Sequence, residues 1–146
     1  METKLILLVE DNPDDELLLL RALKKNHILN SVVVARDGVE ALDYLFSTGT
    51  YEGNKLEKLP ELVLLDLKLP KINGLEVLKR MRADRRTKYV PVVVLTSSTE
   101  EEDIINSYDL GANGFVQKPV NFNEFVEAAN RLGVYWLGVN RAVYPK

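Results

Sequence analysis

Cysteine is absent from this chain of 146 residues, which excludes a disulfide framework and a thiolate zinc site. Nothing in the sequence therefore requires an oxidising compartment. Long apolar runs are missing as well: the start METKLILLVEDNPDD has one apolar stretch of five residues, Leu5 to Val9, and acids close it. Such a segment is neither a signal peptide nor a membrane span. We expect a cytoplasmic protein.

A long basic run is also lacking, and 19 basic against 22 acidic residues leave a net charge of −3. This balance gives no general attraction to nucleic acid or to an anionic membrane, so neither is expected as a partner. The length is that of one ordinary domain, which buries a real core without disulfides or a structural metal. We therefore expect a single domain over residues 1–146, without internal repeats or low-complexity tracts.

What the sequence does contain is a recurring set of short apolar runs that do not alternate with polar residues. Continuous apolar runs predict strands that are covered on both faces, as in a parallel sheet between helices. Segments with helical spacing lie between the runs, for example Val39, Leu42 and Phe46. The pattern predicts an α/β fold of (βα)5 type. The runs are Leu5–Val9, 32–35, Leu62–Leu65, 92–95 and 115–116.

The predicted helices share a start signal, in which a capping residue is followed three positions later by an acid. Each pair resembles a capping box. Pro13 would occupy the first helical position, where its missing N–H costs nothing. Residues 47–60 are longer than a usual connection and contain two glycines, so we interpret them as an insertion loop. The pairs are Asn12/Asp15, Asp37/Glu40, Asn73/Glu76, Thr99/Glu102 and Asn121/Glu124.

Polar side chains follow the predicted strands, and in a parallel α/β sheet ligands collect outside the carboxyl ends of the strands. Glu10 and Asp11 end the first strand, and Asp66 ends the third. Three carboxylates at one edge repel one another and attract a hard divalent cation, for which Mg²⁺ fits an oxygen-only ligand set. Thr96 ends the fourth strand and Lys118 follows the fifth. We expect all five side chains to face one crevice.

A hydroxyl and an ammonium that face these acids suit the charge of a phosphoryl group on one carboxylate. Asp66 is central among them and is the natural nucleophile, because carboxylates are known to form acyl phosphates. Simpler interpretations remain open for each residue alone. Asp66 would then cap a loop, Lys118 would only neutralise the acids, and Thr96 would only start the next helix. Glu10 and Asp11 would be the acidic cluster that a helix N-terminus favours.

Four motifs in this order, VEDNPDD, LLDLKLPKINGLEVL, VVVLTSS and GFVQKP, resemble the receiver domain of two-component response regulators. The resemblance covers about residues 4–135 and leaves 136–146 as a C-terminal extension. It implies a flavodoxin-like, doubly wound parallel sheet of order 2-1-3-4-5. It also implies that a histidine kinase donates a phosphoryl group to Asp66. Such domains are phosphoacceptor switches with autophosphorylation and autodephosphorylation chemistry of their own, and not enzymes.

The same resemblance implies a ligand set for the cation. Asp11 and Asp66 would bind Mg²⁺ directly, together with the backbone carbonyl of Lys68. Glu10 would act through water. This residue is a departure from the commonest pattern, which has aspartate at that position.

The resemblance also assigns the residues around the phosphoryl group. Thr96 and Lys118 would hold its oxygens, and the Lys118–Pro119 bond would be cis. Phe115 would be an aromatic switch that turns inward when Thr96 is drawn to the phosphate. Taken alone, Phe115 is more often an ordinary core residue.

The start EDNPDDELLL, the extended loop and the short length most resemble the single-domain regulators of cyanobacterial and bacterial phytochromes. This implies a phytochrome as the kinase. No further domain is expected after residue 146, so output should pass through contacts with a downstream protein. A C-terminal segment with more apolar positions than one buried stripe needs predicts a homodimer, unless the tail folds back on its own domain. These positions are Phe122, Phe125, Val126, Ala129, Leu132, Val134, Tyr135, Trp136, Leu137 and Val139.

Two other functions fit parts of the pattern. A Mg²⁺-dependent phosphohydrolase could use the same acids on a small-molecule phosphate, but it needs a lid and a substrate pocket that the sequence does not offer. A degenerate receiver used only for binding would not need all five site residues. The complete set therefore favours the phosphoacceptor switch.

Overall fold

The computed structural model describes residues 5–25, 31–49, 59–96 and 101–117, with residues 123, 126 and 127 beyond them. Strands and helices alternate along this part of the chain, as the apolar runs predict. The strands are β1 (Leu5–Val9), β2 (Ser31–Ala35), β3 (Leu62–Leu65), β4 (Val92–Thr96) and β5 (Gly114–Gln117), and the helices are α1 (Pro13–Lys25), α2 (Gly38–Phe46), α3 (Gly74–Ala83) and α4 (Glu101–Asp109).

The five strands form one parallel sheet in the order β2-β1-β3-β4-β5, which confirms the predicted topology. The strand ends differ slightly from the apolar runs. β2 begins one residue earlier, at Ser31, and β5 extends from Gly114 to Gln117. The difference has a simple cause, because a strand is defined by its backbone ladder and the ladder continues past the last apolar side chain.

Both faces of the sheet are covered, as continuous apolar strands require. Side chains of a strand point alternately to opposite faces. Leu7 and Val9 of β1 therefore belong to a core cluster with Leu45 of α2. Ile6 and Leu8 belong to a second cluster, which contains Leu19 and Leu23 of α1. The two-sided core fixes the register of β1, since a slip of one residue would exchange its two faces.

Three of the predicted helix caps are present. Their side-chain oxygens accept hydrogen bonds from the backbone N–H three residues later, which satisfies one of the free donors of the first turn. Pro13 is the first residue of α1, as predicted. Thr99 and Asn121 lie outside the described residues. The bonds are Asp15 N–H to Asn12 (3.1 Å), Glu40 N–H to Asp37 (2.7 Å) and Glu76 N–H to Asn73 (2.9 Å).

Several predictions concern parts of the chain that the structure does not describe. Most of the predicted insertion loop, residues 50–58, is among them. So are the C-terminal extension and the expected fifth helix, apart from helical residues at 123, 126 and 127. The apolar surface predicted to form a homodimer therefore stays a prediction. Within the described part of the chain, no helix combines the length and apolarity that a bilayer crossing needs.

Candidate functional site

Three carboxylates converge at the edge of the sheet where β1 and β3 end, which we call the carboxyl edge. Glu10, Asp11 and Asp66 each offer an oxygen, and these oxygens all lie within 4.8 Å of one another. Glu10 is 1% exposed and Asp66 is 5% exposed, whereas Asp11 is exposed. Two of the three acids thus lie beneath the surface, and the third faces solvent above them.

The strand register brings these acids together. Val9 of β1 pairs with Leu65 of β3, so the residue after each strand falls at the same height. The ladder continues into the site, because Asp66 N–H donates to Val9 O at 3.1 Å. Glu10 N–H donates to Ala35 O at 2.9 Å in the same way. The backbone hydrogen bonds of the sheet therefore fix the positions from which the side chains of Glu10 and Asp66 extend.

Backbone N–H groups also orient the two buried carboxylates. Lys68 N–H donates to Asp66 Oδ1 at 3.0 Å, and Asn12 N–H donates to Glu10 Oε2 at 3.3 Å. Both bonds come from the amide two residues later, and for Asp66 this is the turn that aspartate forms readily after a strand. Each buried acid consequently has one oxygen directed by the chain itself.

The turn after Asp66 is held by a close backbone approach that sequence patterns do not reveal. Gly74, the first residue of α3, donates its N–H to Leu67 O at 2.9 Å. A β-carbon on Gly74 would collide with Asp66 O and would lie 2.7 Å from Leu67 Cα. Only glycine fits there. The available signal was a glycine at the first helical position, where helix propensity gives no reason for one.

The start of α2 is anchored to the same turn. Gly38 N–H donates to Pro70 O at 3.4 Å, and a β-carbon on Gly38 would lie 2.7 Å from the carbonyl carbon of Ile72. The cap residue Asp37 pairs with Lys71 Nζ at 3.4 Å. The pKa of the Asp37 carboxyl is lowered, first by the hydrogen bond from Glu40 N–H and further by Lys71. An ionised cap thus joins α2 to the loop that carries Asp66.

The donor set suits a hard divalent cation. Three carboxylates within 4.8 Å of one another offer only oxygen ligands, and Mg²⁺ or Mn²⁺ binds such sets. Clustered like charges cost free energy, and a bound cation would relieve that cost. Lys68 is exposed and lies in the turn that bonds Asp66, so its carbonyl belongs to the same loop. Its expected contact with the cation stays a prediction.

The remaining predicted site residues are described only in part. Thr96 is the last residue of β4 and pairs with Gln117 of β5, so its backbone lies at the carboxyl edge. Phe115 of β5 is partly buried and pairs with Val94. Lys118 and the Lys118–Pro119 bond lie outside the described residues. The roles predicted for these three side chains are not tested by the geometry.

Known proteins with similar sequences and folds agree with this description. The response regulator receiver domain family matches residues 6–130. The probable methanogenesis regulatory protein FilR2 of Methanothrix harundinacea is 40% identical over 141 residues, covering 97% of this chain and 88% of its own length. The solved structure of the bacteriophytochrome response regulator AtBRR is 55% identical, has a TM-score of 0.77 and covers 97% of this chain and 100% of its own.

A third similar protein was solved with a metal ion. The Mn²⁺-bound form of the response regulator Rcp1 has a TM-score of 0.86 and 37% identity, and the comparison covers 96% of this chain and 99% of the other. The sequence of Rcp1 from Synechocystis sp. is 39% identical over 134 residues, which is 92% of this chain and 89% of Rcp1. Both chains thus match along nearly their whole length.

Proposed function

This chain belongs to the response regulator receiver domain family of two-component systems, and on that premise we propose that it is a phosphorylation switch with Asp66 as its phosphoacceptor. The observation that carries the proposal is the meeting of Glu10, Asp11 and Asp66 within 4.8 Å at the carboxyl edge. Three neighbouring acids are unfavourable for folding stability, and the binding of a divalent cation would account for their arrangement.

Asp66 is the nucleophile in this proposal. It lies at the end of the central strand β3, and Lys68 N–H orients its carboxylate at 3.0 Å. A carboxylate oxygen attacks the phosphorus of a phosphohistidine on the kinase. The new O–P bond forms as the N–P bond breaks, and the released imidazole keeps the electron pair of that bond.

The metal belongs to the same proposal. Asp11 and Asp66 would ligate Mg²⁺ directly, with the Lys68 carbonyl, and Glu10 would act through water. Mg²⁺ supplies charge neutralisation that lets an anionic donor approach three carboxylates. Thr96 and Lys118 would hold the phosphoryl oxygens. Phe115 would turn inward when Thr96 is drawn to the phosphate, which would alter the neighbouring surface. These roles follow from the family resemblance and from strand position.

The proposed signalling partner is a sensor histidine kinase, specifically a phytochrome. The support for a phytochrome is the likeness to AtBRR, a bacteriophytochrome response regulator, at 55% identity over 97% of this chain. FilR2, a probable methanogenesis regulatory protein, is 40% identical, so similar receivers also bear other regulatory names. Phosphotransfer profiling against candidate kinases separates a phytochrome from another sensor kinase, since a regulator accepts phosphate fastest from its own kinase.

The remaining parts of the proposal concern the form of the protein. We propose one receiver domain over residues 1–146, acting in the cytoplasm, with its output passed to a downstream protein. The apolar C-terminal segment would pair two copies of the chain. A single mass twice that of the chain, by light scattering at micromolar concentration, is the expected result, and a monomeric mass with and without phosphorylation would contradict it.

Phosphorylation by acetyl phosphate tests the central assignment. With Mg²⁺, the intact protein should gain the mass of one phosphoryl group, and EDTA or Asp66→Asn should abolish the gain. Asp84→Asn is the matched control, because Asp84 lies outside the acidic cluster and pairs with Arg86 at 3.1 Å. Undiminished labelling of Asp66→Asn would refute Asp66 as the acceptor. Turnover of a generic phosphatase substrate would instead favour the alternative phosphohydrolase.

A further inference from the structure

One arginine connects the chain segments that precede two neighbouring strands. Arg82 of α3 donates from Nη1 to Val90 O at 2.8 Å, just before β4. Its Nε donates to Gly111 O at 2.9 Å and its Nη2 to Asn113 Oδ1 at 2.9 Å, just before β5. These contacts lie at the edge where the strands begin, which we call the amino edge. Nη1 also approaches Lys88 O at 3.2 Å and Thr87 O at 3.4 Å.

Asn113 links these contacts to the pairing of β5 with β4. We call the hydrogen bonds of Arg82 and Asn113 to the two strand starts the lock. Its side-chain Oδ1 accepts from Val92 N–H at 2.8 Å, and its own N–H donates to Val92 O at 2.8 Å. Both polar groups of Val92 are therefore bonded to one residue. The pairing of β5 with β4 continues from there, with Gly114 opposite Val93. Asn113 thus forms the first step of the ladder, and Arg82 holds Asn113.

The geometry requires a guanidinium. Its donors are fixed in a planar fork, which reaches acceptors on both sides, whereas an ammonium is a single point. The acceptors of Arg82 are neutral oxygens, and no carboxylate pairs with it within the described part of the chain. Burial lowers the pKa of Arg82, although the group stays charged. Partly burying this cation costs free energy that the five hydrogen bonds offset.

The bonds at the start of β5 act together with the packing of Leu110 and Ala112 against the core to set the register of this strand. It is a strand of four residues at the edge of the described sheet, where only β4 is its neighbour. Parallel strands have no hairpin turn to set their alignment, and a glycine at the first position adds no side chain. A slip of one residue moves a strand by about 3.3 Å along its neighbour. A short edge strand of this kind needs a lock at one end.

From this arrangement we propose that Arg82 and Asn113 are positioning residues for phosphoryl transfer at the opposite edge of the sheet. The inference rests on the proposed function, in which Thr96 and Lys118 hold the phosphoryl oxygens. Thr96 pairs with Gln117, and Lys118 is the next residue in the chain. Hydrogen bonds to a phosphoryl group tolerate errors of a few tenths of an ångström. The lock at the amino edge would set how β5 aligns with β4, and hence where Lys118 lies relative to Thr96 at the opposite edge.

The test separates metal binding from phosphoryl transfer. The acids lie after β1 and β3, so Asn113→Ala should leave the Mg²⁺ dissociation constant, by calorimetry, within about twofold of wild type. Its maximal labelling rate with saturating acetyl phosphate should fall at least about tenfold, since small misplacements of reacting groups have effects of that size. Arg82→Lys should behave alike. Asn113→Asp keeps an oxygen for both donors and should restore the rate.

Two control variants distinguish positioning from general stability. Leu78→Ala removes a fully buried, apolar side chain of α3 that takes no part in the hydrogen bonds of Arg82 and Asn113, so it should lower the melting temperature but leave the labelling rate of the folded protein unchanged. Arg86→Ala removes a nearby arginine whose side chain bonds Asp84 and stacks on Phe46. It should change neither the melting temperature nor the labelling rate. Each variant is assayed below its own melting transition.

The possible results are distinct. Labelling of Asn113→Ala at the wild-type rate would overturn the inference, as would an equal loss in Leu78→Ala or a failure of Asn113→Asp to restore the rate. All three leave wild-type labelling, and hence the proposed function, intact. Wild-type protein that takes no label while it binds Mg²⁺ would contradict the proposed function itself and the positioning role with it.

Discussion

The two edges of the sheet differ in the partners of their charged side chains. At the carboxyl edge, Glu10, Asp11 and Asp66 bring like charges within 4.8 Å of one another. At the amino edge, the guanidinium of Arg82 has neutral acceptors on both neighbouring loops, and Arg86 has a carboxylate partner in Asp84 at 3.1 Å. The amino edge thus gives each of these two arginines an acceptor, whereas the carboxyl edge gathers three acids, a set that suits a divalent cation.

The contrast extends to the backbone. At the carboxyl edge, β-carbons on Gly38 and Gly74 would collide with the loop that follows Asp66. At the amino edge, a β-carbon on Gly114 would meet its nearest atom, a methyl carbon of Val93, at an ordinary 3.6 Å. Elsewhere, β-carbons on Gly49 and Gly111 would approach side chains, those of Asp43 and Arg82, so the close backbone approaches at Gly38 and Gly74 lie where the acids are held in place. Close backbone packing around the three acids is what a preorganised binding site requires.

The largest expected effect follows from that packing. Gly74→Ala should lower the free energy of unfolding by about 3 kcal/mol, because the backbone of Asp66 and Leu67 must move to admit the methyl group. Gly114→Ala is the matched control at the amino edge and should change stability by less than about 1 kcal/mol. Urea titrations of both variants measure the difference. Equal losses would show that the carboxyl edge is not the tighter one.

The glycines also show where prediction from the sequence ends. Apolar runs predicted all five strands to within about two residues, and the caps at Asn12, Asp37 and Asn73 followed from local patterns. Strand ends then indicated which acids would meet. Gly74 could not be understood this way, because its constraint is the backbone of Asp66, which reaches it only in the folded chain.

The lock at the amino edge escaped prediction for a related reason. Arg82 and Asn113 are 31 positions apart and have no motif in common. An arginine near the end of a helix usually interacts with the helix dipole or solvent, so its bonds to two strand starts depend on tertiary geometry. Sequence patterns reveal groups that gather at a shared strand end more readily than groups that pair across distant loops.

The second prediction concerns the charge contrast itself. Mg²⁺ at a hundred times its dissociation constant should stabilise the wild-type protein by about 2.7 kcal/mol, because it binds the folded state. Asp11→Asn should remove most of this gain, since it takes one carboxylate from the cluster. Asp84→Asn, at the amino edge, should retain it in full. Thermal unfolding with Mg²⁺ and with EDTA measures both. A full gain in Asp11→Asn would show that Asp11 does not bind the ion.

The smallest effect expected is a dependence on pH at Asp37, which joins α2 to the loop after Asp66. The pKa of this carboxyl lies below its usual 3.8 because it accepts the Glu40 N–H bond and faces Lys71. A depressed pKa means that the carboxylate stabilises the fold above pH 3.8, and the contribution is lost as the pH falls through the lower folded value. Acidification below about pH 4 should therefore weaken the wild-type protein partly through Asp37.

Two substitutions separate the cap from the charge. Asp37→Ala should cost about 1 kcal/mol at neutral pH, because the Glu40 N–H loses its acceptor. Asp37→Ser keeps an acceptor oxygen but no charge, so it should recover most of that loss. Its unfolding free energy should then fall less steeply than that of the wild type below about pH 4. Parallel pH profiles for wild type and Asp37→Ser would mean that the cap acts only as a hydrogen-bond acceptor, and that the ion pair with Lys71 contributes nothing to joining α2 to the site loop.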